Sequence, residues 1–83
     1  MMTPEKKAQL TWHSRRGMLE LDLILGRFVE RFLDELTDEQ SMQYEYLLSQ
    51  SDPDLYAWLM GYEKPMDEKC VTIVEFIRLH DHV

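Results

Sequence analysis

Arg15-Arg16-Gly17-Met18-Leu19-Glu20-Leu21-Asp22-Leu23-Ile24-Leu25-Gly26-Arg27-Phe28 decides the fold. From Gly17 onward, Leu21, Ile24, Leu25, Phe28, Phe32 and Leu36 recur at three- and four-residue steps. That is the period of one helix face, so the spacing predicts a helix from about Gly17 to Leu36 with this stripe in the core. The opposite side carries Glu20, Arg27, Glu30, Arg31 and Asp34, an ordinary solvated face. Leu19 and Leu23 break the pattern by projecting among those charges. Either a second helix covers them or they are open to a partner. Gly17, after a basic turn, is read as the left-handed residue that ends one helix and turns the chain into the next. Arg16 and Glu20 are close enough to pair if the helix already holds Arg16, but an exposed pair of this kind is worth only about 0.3–0.5 kcal/mol. Gly26 costs about 1 kcal/mol relative to Ala in a helix interior. It is read as the close approach of a neighbouring helix, the alternative being another chain.

Start signals place the other helices. Thr3-Pro4-Glu5 supplies a hydroxyl cap, a proline whose missing N–H costs nothing there, and an acid in the first turn, so a helix runs from about Pro4 to Ser14 or Arg16. Trp12 is its expected anchor. Thr37-Asp38-Glu39-Gln40 has the form of a capping box and opens a helix whose inward residues are Tyr44, Leu47 and Leu48, with Met42 a further candidate. Asp52 is read as the cap of the next, with Pro53 in first position and Leu55, Trp58 and Leu59 on one face. A contact surface on Tyr56 or Trp58 is the alternative reading of that segment. After a connector containing Pro65, Asp67 caps a last helix with Cys70, Ile73, Val74 and Ile77 facing inward, and the tail His80-Asp81-His82-Val83 is expected to fray. With no alternating segment long enough for a sheet, the fold class is all-α: one domain, residues 1–83, a small five-helix bundle.

Size and charge exclude much. A chain of 83 residues buries only roughly 60–65% of its unfolded surface, which argues against a deep catalytic cavity. Its net charge of −7 is uneven: Lys6, Lys7, Arg15 and Arg16 stand against Glu5 alone in the opening sixteen residues. The overall field opposes nucleic acid and anionic membranes. No stretch approaches the roughly 18–20 apolar residues of a membrane span and no leader-like run opens the chain, so a cytoplasmic protein without membrane insertion is expected.

Catalytic constellations are lacking. His80 and His82 point to different sides of a helix and make a poor metal pair, and His13 reads as a surface histidine. Cys70, the only cysteine, has no nearby cation to activate it and reads as a small buried hydrophobe. Neither a catalytic residue nor a metal site is expected. Glu20 is the one carboxylate worth weighing; from the residues alone it reads as a first-turn acid favoured by the helix dipole.

Arg16-Gly17-x-x-Glu20, preceded by Trp12 and followed by Leu21-Asp22, resembles the RGxxE signature of the SdhE family of FAD assembly factors. Asp52-Pro53-Asp54-Leu55-Tyr56-Ala57-Trp58-Leu59 is similar to that family's DPDLxxWL segment, and Lys64-Pro65 follows in the expected place. The resemblance covers essentially the whole chain. It implies a factor that binds the flavoprotein subunit of succinate dehydrogenase, and of fumarate reductase, and promotes covalent attachment of FAD to a histidine of that subunit. It further implies that Arg16, Gly17 and Glu20 form the docking surface, with Arg16 a forked donor and Glu20 its complementary acceptor. Leu19 and Leu23 are added from the residue pattern as apolar contacts, with Arg15 as a neighbouring cation. FAD is expected to pass to the client without stable binding by this chain, which is expected to be a monomer when free. The rival readings are a proton-transfer catalyst using Glu20 or His13, and a regulatory interaction module, antitoxin-like or a nucleic-acid adaptor, using Lys6, Lys7, Arg15 and Arg16.

Overall fold

Helix signals and apolar stripes act together in the computed structural model, which describes residues 2–81. Helix α1 (Pro4–His13) starts where Thr3 Oγ1 accepts the Lys6 N–H at 3.1 Å. Only Leu10 of this helix is buried, and Trp12, the expected anchor, is 72% exposed. The two lie about 200° apart around the helix, so burying Leu10 sends Trp12 outward. Helix α2 (Leu19–Phe32) begins two residues later than its periodicity suggests, because Gly17 is held at φ 84°. Leu21, Ile24, Leu25 and Phe28 are buried as expected.

The far end of α2 also departs from expectation. The chain tightens into a 3₁₀ turn over Leu33–Glu35 instead of continuing as α-helix to Leu36. Three residues per turn rotates Leu33 into the core at 1% exposure and leaves Phe32 and Leu36 packed at its edge. Helix α3 (Asp38–Leu48) opens with the expected capping box: Thr37 Oγ1 accepts the Gln40 N–H at 3.1 Å while Gln40 Oε1 accepts the Thr37 N–H at 2.9 Å. Tyr44, Leu47 and Leu48 are buried; Met42 is 71% exposed and lies outside the stripe. Helix α4 (Asp52–Leu59) is capped one residue earlier than expected, by Ser51, whose hydroxyl accepts the Asp54 N–H. Asp52 is free for another task. Leu55 and Leu59 of α4 are buried, whereas Tyr56 and Trp58 are half-buried, so the helix serves the core and also shows a face to solvent.

Helix α5 (Glu68–His80) starts at Asp67, which accepts the Lys69 N–H at 2.9 Å, and buries Cys70, Ile73, Val74 and Ile77. Burial, more than the nearby Asp67, pushes the Cys70 thiol up, which keeps it protonated and inert. The helix lies mainly along α3, and α4 bridges α2 and α5. Aromatic rings knit the centre: Phe28 meets Tyr44 at 5.0 Å and Phe76 edge-on at 5.8 Å. The end of α5 does not fray up to Asp81. His80 stacks against Phe76 at 4.5 Å, and Asp81 receives Arg27 through Nε at 2.8 Å and Nη2 at 3.0 Å. Arg27 is thus drawn from the solvated face into a forked pair; His82 and Val83 lie outside the described residues. All five α-helices feed one core.

A candidate docking surface at the turn between α1 and α2

The turn follows directly from α1's last residues. Ser14, 4% exposed, donates its hydroxyl hydrogen to the Leu10 carbonyl at 2.7 Å, which leaves its oxygen to accept the Tyr44 hydroxyl at 2.5 Å. Tyr44 is wholly buried, and desolvation pushes its phenol up to about 12 despite the opposing Ser14 bond and the Arg16 charge. This pair fastens the end of α1 to the middle of α3. Gly17 then takes the left-handed backbone, and a Cβ there would meet nothing within 4 Å, so φ alone demands glycine.

Arg16 sits behind the turn. Its backbone N–H goes to Asp22 Oδ1 at 2.7 Å, and its guanidinium reaches four further acceptors. Nε meets Asp52 Oδ1 at 2.8 Å, Nη1 the carbonyls of Leu48 at 2.9 Å and His13 at 3.1 Å, and Nη2 that of Gln50 at 3.0 Å. The Leu48 and His13 carbonyls lie at the ends of α3 and α1, where no intrahelical donor remains and the helix dipole favours a cation. With its side chain 17% exposed, Arg16 clamps α1, α3 and α4 together. The expected Arg16–Glu20 pair does not form, because Arg16 stands outside α2 and its fork is engaged with Asp52 and the carbonyls.

In front of the turn the picture reverses. Glu20 is exposed and makes no hydrogen bond or ion pair among the described residues. Leu19 is 69% exposed and Leu23 50%, so no second helix covers them. The surface continues onto α4. Tyr56 and Tyr62 bring their rings to 5.9 Å, and the Tyr56 phenol is pushed up first by Tyr62 and last by the charge of Glu20. Arg15 is exposed beside the turn without an ion pair among the described residues.

Sequence reasoning passed over Asp22 and Ser14, which hold the turn, and misread Asp52 as a cap. The signal for Asp52 was present in Ser51-Asp52-Pro53, where Ser51 could cap and free the acid. The basic opening segment is largely neutralised: Lys6 pairs with Glu45, Lys7 with Asp34 at 2.8 Å, and Arg16 with Asp52. Gly26 does not admit a neighbouring helix, since a Cβ there would find nothing within 4 Å. Among the described residues, no group of three or more potential metal ligands converges and no helix is long and apolar enough to cross a membrane.

A buried polar clamp thus holds one turn still, with exposed leucines around an unpaired carboxylate in front of it, on a small all-α bundle. Residues 8–81 match the family described as the flavinator of succinate dehydrogenase. The chain is 48% identical over 77 residues to the FAD assembly factor SdhE of Legionella pneumophila strain Lens, covering 93% of this chain and 96% of that one. It is 40% identical to the FAD assembly factor SdhE of Vibrio cholerae over 98% and 94% of the two chains. The solution structure of a UPF0350 protein, 40% identical, superposes with a TM-score of 0.79 over 96% of this chain and 85% of its own. This chain therefore belongs to the SdhE family of FAD assembly factors, whose members are named for assembly and not for catalysis.

Proposed function

We propose that this protein binds the flavoprotein subunit of succinate dehydrogenase through the surface of Gly17, Leu19, Glu20 and Leu23, with Arg15 beside it, and thereby promotes covalent flavinylation of that subunit. The observation that carries the reading is the RGxxE turn itself, clamped from behind by Arg16 and open in front. Flavinylation needs a client histidine within attack distance of the flavin and the ring's electron density drawn off. A partially assembled subunit holds that geometry rarely. A rigid docking surface that prefers the competent state raises its population, by no more than its differential affinity for the two states. The bond-forming groups belong to the client, and FAD passes to it without stable binding here. Fumarate reductase, with a flavoprotein subunit of the same chemistry, is a second client. The factor acts as a monomer in the cytoplasm.

Arg16 changes role in this account. Its fork shapes the surface and Glu20 makes the outward polar contact, with a cation of the client as its partner. The nucleic-acid reading is disfavoured because three of the four opening cations are already paired within the fold. The test measures covalent flavin on the client by in-gel fluorescence, with Glu20→Ala or Leu23→Ser in place of the native factor. A marked loss at native protein abundance is expected. Unchanged flavin loading by both folded variants would overturn the assignment.

A further inference from the structure

Four exposed residues of α2 follow the spacing i, i+4, i+7 and i+11: Leu19, Leu23, Gly26 and Glu30. At about 100° per residue they form one narrow line opposite Leu21, Leu25 and Phe28 of the core. Alternating steps of four and three are the spacing of a seam between helices that cross at a shallow angle of about 20°. Gly26 stands in the middle of that seam. Glycine is a poor residue for a helix interior, and here neither backbone strain nor an internal neighbour requires it: its φ is not positive, and nothing lies within 4 Å of a Cβ built there. What remains is the approach of another backbone from outside. Gly26 also forms one wall of an open groove of about 450 Å³ between α1 and α2, shared with Thr11, Arg15, Asp22, Val29 and Glu30.

We infer that this line of α2 seats a helix of the flavoprotein subunit, which crosses at Gly26 and packs small and apolar residues against Leu19 and Leu23. The inference rests on the docking reading above and says which kind of element docks. Charge complementarity selects the occupant. Glu20 beside the seam and Glu30 at its end are exposed and make no ion pair among the described residues, on a chain of net charge −7, and Arg15 in the adjoining groove is the lone cation set against them. The visiting helix therefore carries Lys or Arg beside its packing face. A second copy of this chain would bring a second net charge of −7 to the same seam.

The test uses the full chain and the isolated flavoprotein subunit. Gly26→Gln inserts a long, helix-favouring side chain into the seam. Its thermal midpoint should be at least that of the native chain, because the helix gains propensity. Its affinity for the subunit should fall at least tenfold, with Gly26→Ala falling less. Photocrosslinking residues placed at positions 23 and 30 lie about 10 Å apart along α2, so they should mark client residues about seven apart in one helical segment. Undiminished binding of Gly26→Gln overturns the inference. So do crosslinks about three residues apart, the mark of an extended strand, or crosslinks between copies of this chain. If Glu20→Ala weakens binding while Gly26→Gln does not, only the helical seat falls. If the native chain does not bind the subunit, the docking reading falls with it.

Discussion

Behind the α1–α2 turn, Arg16 gives its side-chain donors to Asp52 and the carbonyls of His13, Leu48 and Gln50; in front of it, four residues along the chain, Glu20 makes no hydrogen bond or ion pair among the described residues. The same signature motif thus contains one residue consumed by the fold and one withheld from it. The difference separates two duties that a motif match alone would merge. Loss of Arg16 should act through stability, and loss of Glu20 through association. Arg16→Ala is the largest break. It strands the Asp52 carboxylate and leaves helix-end carbonyls without donors, at a cost of about 2–4 kcal/mol. In a chain this small, that lowers the thermal midpoint by about 10 °C or more. Arg16→Lys should recover less than half, because a single ammonium cannot replace a fork directed at several acceptors. A midpoint unchanged by Arg16→Ala would show that the back of the turn is not held by this residue.

Next in size is the buried hydroxyl pair that shares the back of the turn. The Tyr44 phenol, at about 12 in the folded chain against an ordinary value of 10, is raised by burial. Below pH 10 both states keep the proton. Between pH 10 and about 12 the unfolded chain releases it and the folded chain does not, so stability falls as pH climbs, by roughly 2–3 kcal/mol over that window. Tyr44→Phe should cost about 1 kcal/mol at neutral pH and remove that part of the alkaline loss. Denaturant midpoints of both proteins at pH 8 and pH 11 check it. Parallel losses in the two proteins would assign the alkaline sensitivity to other groups.

Gly17 lies between front and back. Gly17→Ala meets no atom, yet must adopt a left-handed backbone, so about 1–2 kcal/mol is expected from φ alone. Gly17→Asn, which tolerates that region, should cost less than the alanine. Equal midpoints for the two variants would mean that the turn relaxes to another conformation.

These contrasts show why the front was easier to read from the sequence than the back. Leu19 and Leu23 stood out because periodicity is a local property, and a residue off the stripe needs no knowledge of other helices to be noticed. The capping box at Thr37 and Gln40, the Asp67 cap and the inward faces of α3 and α5 were legible for the same reason. The Arg16 clamp depends on Asp52 and on carbonyls more than thirty positions away, and nothing in the spacing of Arg16 and Glu20 announces it. Trp12 was misplaced by a different mechanism: a large aromatic suggests an anchor, but α1 touches the bundle through Leu10, and the helix period decides which of the two is buried. Leu33 entered the core only because the chain tightened into a 3₁₀ turn, a change that periodicity assumes away.

The finest contrast concerns Glu20 itself, where the fold should hardly respond. Glu20→Gln removes no hydrogen bond or ion pair of the described residues, and its effect on stability should stay within about 0.5 kcal/mol. If the carboxylate meets a cation of the client, removing its charge should weaken association about tenfold, near 1.4 kcal/mol, and flatten its dependence on salt. Flavin loading then falls only because less complex forms, so raising the concentration of the variant factor restores it in full. A proton-transfer role makes the opposite demand: the variant binds as well as the native chain, and no excess of it recovers the yield. Titrating the factor against a fixed amount of client, with in-gel flavin fluorescence as the readout, separates the two. Full recovery assigns Glu20 to docking, and a plateau below the native yield assigns it to chemistry.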